Sequence, residues 1–217
     1  MKYKCLILDH DDTVVNSTAT IHHPAFLEAL KVMRPGVTIS LEDYFRDNFH
    51  PGFIEYCTEK LGMTDAELEL EVELWRNYVE NHITKAYDGM REIIERQKAE
   101  GGIVCVVSHS YDFNIKRDYA ANGLLHPDMI FGWECPPEQR KPSTYALEQI
   151  AEHYGLKPEE MVMVDDLKPG YDMAKKFGAF FVGAGWANDV IEIREFMKKN
   201  SDVYFTKVNE LKDFLFG

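Results

Sequence analysis

The sequence contains no run of ~18 apolar residues, the length a membrane-spanning helix requires. Nor does a charged and apolar leader precede the first strand-like segment, so a cytoplasmic protein with no membrane partner is expected. Basic residues are few: 24 Lys and Arg stand against 37 Asp and Glu, leaving a formal net charge of −13. The acids are spread along the chain instead of forming a tail, which argues against nucleic acid as the main partner. An anionic ligand would have to be met by local positive charge from a metal ion, a lysine or backbone N–H groups. Cysteine is equally sparse. Cys5, Cys57, Cys105 and Cys135 form no C-x-x-C pair and have no histidine at zinc spacing, which excludes a zinc module and predicts buried, reduced thiols. Internal repeats and low-complexity segments are absent, and no sequence feature bears on oligomeric state.

What is present is the composition of a packed globular chain, with 217 residues that are 45% hydrophobic and 12% aromatic. That length suits one good-sized core with an inserted module better than two domains in series. Short apolar runs at Tyr3–Leu8, Ile103–Val107, Met129–Phe131, Met161–Val164, Ala179–Val182 and Val203–Phe205 have the continuous hydrophobicity of buried parallel strands. Helical patterns separate them. Ser143–Tyr154 follows Pro142 and carries Tyr145, Leu147, Ile150 and Ala151, while Tyr171–Phe177 stops at Gly178. Strand alternating with helix predicts an α/β fold, a doubly wound Rossmann-like parallel sheet.

The interval between the first two strands is far longer than a crossover needs and holds no convincing strand. An α-helical module is therefore expected over residues 16–87, inserted into a sheet domain of residues 1–15 and 88–217. Pro24–Met33, Leu41–Phe49, Pro51–Leu61 and Asp65–Ile83 are its predicted helices, the last carrying Leu68, Val72, Trp75 and Val79 behind a Thr64 cap with Glu67 three residues on. Gly89–Ala99 returns to the sheet domain. Tyr44, Phe45, Phe49, Phe53, Tyr56, Trp75 and Tyr78 recur mostly at helical spacing and are read as the core of the insertion.

The first apolar run ends in Asp9-His10-Asp11-Asp12-Thr13, three carboxylates within four positions. In open α/β sheets the C-terminal edge of the strands is where ligands bind. So dense an acidic cluster repels itself unless a cation neutralises it, and hard oxygen ligands select Mg²⁺. With its strand, this segment resembles the first motif of the haloacid dehalogenase superfamily, D-x-D-x-[TV]. The resemblance implies that Asp9 attacks phosphorus to form an aspartyl-phosphate, while Asp11 protonates the leaving oxygen and then activates water. It also implies phosphoryl transfer over dehalogenation, since relatives that attack carbon lack the second acid. Asp12 is read as a turn residue.

Three further segments extend the resemblance in family order. Ile103–Val107 ends in Ser108-His109-Ser110, similar to the second motif, whose Ser or Thr hydrogen-bonds the phosphoryl group; His109 stands where many relatives have Asn and is a candidate substrate contact. Arg140-Lys141-Pro142 resembles the third, in which a Lys offsets the charge of nucleophile and phosphate. Met161–Val164 ends in Asp165-Asp166, similar to the fourth, which implies Mg²⁺ held by Asp166, the Asp9 carboxylate and the Asp11 carbonyl, with Asp165 a further ligand or an outer acid. Some relatives have another Asp where Gly170 stands here, and Asp172 is as well explained by a helix first turn.

An insertion directly after the first motif resembles the helical cap of the subgroup that includes phosphoglycolate phosphatases and beta-phosphoglucomutases. Among its polar residues His22, His23, Arg46, Asn48 and His50, Arg46 is the preferred candidate for a second anionic group of the substrate. A lid of this kind implies a small phosphomonoester as partner. The expected activity is Mg²⁺-dependent phosphomonoester hydrolysis. A sugar phosphomutase on the same scaffold and a catalytically silent binding module are the alternatives.

Overall fold

The computed structural model describes every residue, Met1–Gly217. Its centre is one parallel sheet of β1 (Cys5–Leu8), β2 (Ile103–Val107), β3 (Met129–Phe131), β4 (Met161–Asp165), β5 (Phe180–Ala184) and β6 (Val203–Phe205). The spatial order is β3-β2-β1-β4-β5-β6, so winding reverses beside β1. Leu8 lies opposite Val106 on one side and Val164 on the other. The residues that follow these three strands therefore emerge together at the edge where doubly wound sheets bind ligands.

Between β1 and β2 the chain is helical: a π-helical turn Thr18–His22, α1 (His23–Met33), α2 (Leu41–Phe49), the single turn α3 (Phe53–Glu55) running into a second π-helical turn Tyr56–Lys60, and α4 (Asp65–Asn81). The anticipated capping box starts α4, with the Glu67 N–H donating to Thr64 Oγ1 at 3.3 Å and the Thr64 N–H donating to the Glu67 carboxylate at 2.9 Å. The single helix expected over Pro51–Leu61 is not formed. Gly52, at φ +123°, turns the chain where that helix should begin, and only α3 and the wide turn follow.

After the insertion come α5 (Met90–Ala99), α6 (Asp112–Ala121), α7 (Tyr145–Tyr154), α8 (Lys168–Phe177), α9 (Ile191–Asn200) and α10 (Val208–Phe216). Alternate strand residues point to opposite faces. Leu6, Leu8, Val104, Val106, Val162 and Val164 meet α5, α6 and α10 through Ile93, Ile115 and Leu211. Cys5, Ile7, Cys105, Val107, Met161 and Met163 meet α7, α8 and α9 through Leu147, Met173 and Ile193. Burying each such side chain contributes roughly 1.5–3 kcal/mol, which holds the strand ends in register. All four cysteines are free thiols; Cys5, Cys57 and Cys105 are buried, but Cys135, outside any strand, is partly exposed.

The insertion has its own core of Phe26, Leu30, Ile39, Tyr44, Tyr56, Cys57 and Met63, with Phe53 packed against it. Not every aromatic residue joins it. Phe45 belongs to the sheet-domain core that also contains Cys5 and Ile7, and Phe49 meets Phe196 of α9 with ring centroids 5.3 Å apart. Opposite sides of α2 thus serve both cores, because Tyr44 and Phe45 are adjacent and cannot share a helix face. Tyr78 stacks on His82 at 3.9 Å.

Glu71, on α4, is only 4% exposed. Burial pushes its carboxyl up to about 7, with His22 pulling the other way. The folded state then keeps a proton that the unfolded chain loses near pH ~4.3. Stability from this group is therefore full below that value and falls as pH rises towards 7. Glu71→Gln is expected to match the parent near pH ~4 and to melt about 2–8 °C higher near pH ~8, worth on the order of 1–2 kcal/mol. A melting difference independent of pH would refute the assignment.

Candidate active site

Four loops meet at the C-terminal edge of the sheet. Asp9 follows β1 and its N–H donates to the Val164 carbonyl at 2.9 Å, which fixes it to the neighbouring strand. Ser108 follows β2; its N–H donates to the Phe131 carbonyl at 2.9 Å, and its Oγ accepts from the Ser110 N–H at 3.1 Å. Lys141, just ahead of α7, is buried and sends Nζ to Asp9 Oδ1 at 2.9 Å and to Asp165 Oδ2 at 2.6 Å. Burial works against its ammonium, yet Asp165 and Asp9 keep it charged and raise its proton affinity above an ordinary lysine's. The one buried cation is shared between two buried carboxylates.

Carboxylate oxygens of Asp9, Asp165 and Asp166 lie within 4.8 Å of one another. Both oxygens of Asp165 are occupied, Oδ2 by Lys141 and Oδ1 by the Leu167 N–H at 2.8 Å. Asp166 differs, since its Oδ1 is buried without any hydrogen-bond partner. Burial, with Asp12, Asp165 and Asp9 close by, raises its carboxyl well above the usual range. Lys141 alone cannot balance three acids. An orphaned buried oxygen among hard, like-charged donors fits a divalent cation.

Gly170 explains the packing around Asp165. A Cβ there would collide with the Asp165 carboxylate, so the family's additional acid has no room in this chain. Gly170→Ala is expected to swing Asp165 off Lys141 and lower turnover by about 10–100-fold, as loss of a supporting contact commonly does. Parallel kinetics and melting curves check this; unchanged turnover would show that Asp165 does not position the lysine.

Asp11 is held apart from these acids. Its Oδ2 accepts from the Ser110 hydroxyl, and its Oδ1 lies 3.0 Å from His22 Nε2. Trp75 Nε1–H donates to His22 Nδ1 at 3.0 Å, so the imidazole proton must sit on Nε2, facing Asp11. Burial alone would raise the Asp11 carboxyl, but His22, His10 and Ser110 overcome it and hold the group well below the usual carboxylate range. Asp12 is a turn residue, as read from the sequence: it adopts φ +57°, and its Oδ1 accepts from the Thr18 N–H at 3.1 Å. His10 is fully buried, with Nε2 3.2 Å from Asp118 Oδ2.

The structure thus brings together Asp9, Asp11, Ser108, Lys141, Asp165 and Asp166. Arg46 does not join them. It projects from α2 and is ion-paired at the surface with Glu42, Asp43 and Glu192. His22 is the residue of the insertion that reaches the acids, and Trp75, expected in the insertion's core, supports it. His109 donates Nε2–H to the Lys141 carbonyl at 3.1 Å, which ties the second loop to the third. Ser110 was the contact not anticipated, although it repeats the serine two positions earlier. Asp172 is ion-paired with Lys168 within α8, as a helix-surface acid.

The family profile of haloacid dehalogenase-like hydrolases matches residues 3–178. No curated protein matches the chain. Among solved structures, a predicted phosphoglycolate phosphatase of Haemophilus somnus 129pt is 20% identical, with 99% of this chain and 98% of that one covered and a TM-score of 0.81. A HAD family hydrolase of Deinococcus radiodurans R1, solved with bound phosphate and sodium, is 17% identical over 99% and 95% of the two chains, with a TM-score of 0.74. CbbY of Rhodobacter sphaeroides, solved with phosphate, is 19% identical over 96% of each chain, also with a TM-score of 0.74. At these identities the likeness is one of fold.

Proposed function

The chain belongs to the haloacid dehalogenase-like hydrolase family, and on that premise we propose that it hydrolyses small phosphomonoesters through an aspartyl-phosphate on Asp9. The observation that carries this reading is the division of labour between two carboxylates: Asp9 shares the buried Lys141 ammonium, whereas Asp11 is held by His22 and Ser110. Two differently placed acids are what a nucleophile and a separate proton carrier require.

In the first step an Asp9 oxygen forms a bond to phosphorus, the bond to the leaving oxygen breaks, and Asp11 gives that oxygen a proton. His22, His10 and the Ser110 hydroxyl keep Asp11 ionised in this arrangement, so it takes up a proton from solvent before the transfer, which an incoming phosphoryl dianion favours. In the second step a water oxygen attacks phosphorus, Asp11 takes the water proton, and the bond to Asp9 breaks to release inorganic phosphate. Ser108 and Lys141 hold the phosphoryl oxygens throughout. The acids that would hold Mg²⁺ are Asp9 and Asp166, with the Asp11 carbonyl; Asp165 orients Lys141. When bound, Mg²⁺ neutralises phosphoryl charge and makes phosphorus more electrophilic. Residues 16–87 act as the lid that excludes bulk water, with His22 as its contact to the acid.

Phosphate release from a panel of small phosphomonoesters, with and without a chelator, tests this reading. Release that stops on chelation and returns with Mg²⁺ is expected. Transfer of the phosphoryl group to a second hydroxyl of the substrate, with no free phosphate, would identify a mutase instead.

A further inference from the structure

The insertion leaves and rejoins the sheet domain through two linkers that pair with each other. The Asn16 N–H donates to the Lys85 carbonyl and the Tyr87 N–H to the Val14 carbonyl, each at 2.9 Å, and Val15 and Ala86 form an antiparallel bridge. Asn122, at the end of α6, holds this ribbon from the sheet-domain side. Its Oδ1 accepts from the Ala86 N–H at 2.9 Å, and its Nδ2–H donates to the Thr84 carbonyl at 3.0 Å. A short paired ribbon fixed to one body is a pivot, which leaves the orientation of the rest of the insertion to contacts farther out.

One such contact comes from the same helix. Arg117, on α6 and ~7.5 Å along the helix axis from Asn122, donates Nη1–H to the Val79 carbonyl at 2.7 Å. Val79 lies in the last turn of α4, where carbonyls run out of helical donors, and its other donor, the His82 N–H, stands off at 3.3 Å. A guanidinium there also meets the negative end of the helix. Trp75 is one turn earlier on the same face of α4, and its indole fixes the His22 that meets Asp11.

The other side of the guanidinium faces the acids' own loop. Nε–H donates to Asp118 Oδ1 at 2.8 Å, with Nη2 at the same distance, and Asp118 Oδ2 lies 3.2 Å from Nε2 of His10. His10 stands between Asp9 and Asp11 in the chain and is fully buried, and Asp118 is only 3% exposed, so its charge needs the partner that Arg117 supplies. One side chain thereby closes a ring of contacts. It runs from Asp11 through His22 and Trp75 to α4, across Arg117 to Asp118, and back through His10 to the loop that carries Asp11.

We infer that Arg117 is a positioning residue, which seats the insertion on α6 and so sets Asp11 from two sides. With the guanidinium in place, α4 brings Trp75 and His22 to Asp11, while Asp118 holds His10 from the sheet-domain side. Arginine suits the task because its planar fork donates in both directions at once. The inference rests on the proposed roles of the insertion as a lid and of Asp11 as the proton carrier.

The test follows three ring N–H protons by NMR hydrogen exchange in the resting protein. The His22 Nε2–H is bonded to Asp11 across the lid boundary, the Trp75 indole N–H to His22 within the insertion, and the Trp186 indole N–H to the Thr13 carbonyl within the sheet domain at 3.1 Å. In Arg117→Met the His22 proton is expected to exchange at least ~10-fold faster, while the two indole protons change by less than ~3-fold. Turnover of a small phosphomonoester should fall by about 10–100-fold, chiefly in kcat. Arg117→Met combined with Asp118→Asn leaves no unpaired buried charge and should show the same pattern, which keeps the test open if Arg117→Met alone does not fold. Asn122→Ala, at the pivot, should lower the melting temperature with His22 exchange and kcat within ~3-fold of wild type. Faster exchange at His22 alone, in a protein that hydrolyses no ester, would support the seating role while overturning the hydrolytic reading. Unchanged exchange at His22, or equal acceleration of all three protons, would overturn the inference whether or not hydrolysis occurs. So would kcat within ~3-fold of wild type in an active enzyme whose His22 proton exchanges faster.

Discussion

Replacing Asp9 by Asn is expected to lower phosphate release by at least ~10⁴-fold while the protein stays folded, because the amide keeps the shape of the carboxylate but not its nucleophilicity. The site predicts the stability effect as well. Asp9 shares its cluster with Asp165 and Asp166 and only Lys141 to balance them, so removing one negative charge should leave the melting temperature unchanged or raise it by a few degrees. Steady-state kinetics with thermal melting checks both parts. Residual activity within ~10-fold of wild type would exclude Asp9 as the nucleophile.

Lys141→Met should be damaging in both respects. The side chain is buried, and its ammonium is the shared partner of Asp9 and Asp165. Removing one member of a buried ion pair leaves an uncompensated charge and costs about 3–5 kcal/mol, or roughly 6–20 °C in a chain of this length. Activity should fall by at least ~10²-fold, since positive charge on the transferring group is lost. Lys141→Arg is not expected to rescue it, because a planar fork cannot replace a compact point charge between two carboxylates. Combining Lys141→Met with Asp9→Asn should cost less stability than the sum of the two, as both partners of one pair are then removed. Additive costs would show that the pair does not act as a unit.

The four central strands were legible because they are buried on both faces and therefore read as continuous apolar runs, while the edge strands Met129–Phe131 and Val203–Phe205, only partly buried, were legible from their short apolar composition. Asp9, Ser108, Lys141 and Asp165-Asp166 were legible because each follows a strand or precedes a helix at the same sheet edge. The contacts of the insertion were not. His22 and Arg46 are both polar residues on helical segments, and only tertiary packing turns one towards Asp11 and commits the other to Glu42, Asp43 and Glu192. Trp75 fits the heptad-like spacing of α4 as well as a core residue would, yet its indole N–H is used to fix the His22 tautomer.

The most direct measurement is acid quenching during turnover of a small phosphomonoester, followed by mass analysis of the peptide that contains Asp9. Covalent catalysis by Asp9 predicts the mass of a phosphoryl group on that peptide in the wild type, assigned to Asp9 itself and absent from Asp9→Asn. Phosphate release with no label on Asp9, or with the label on Ser108 or a histidine, would contradict it.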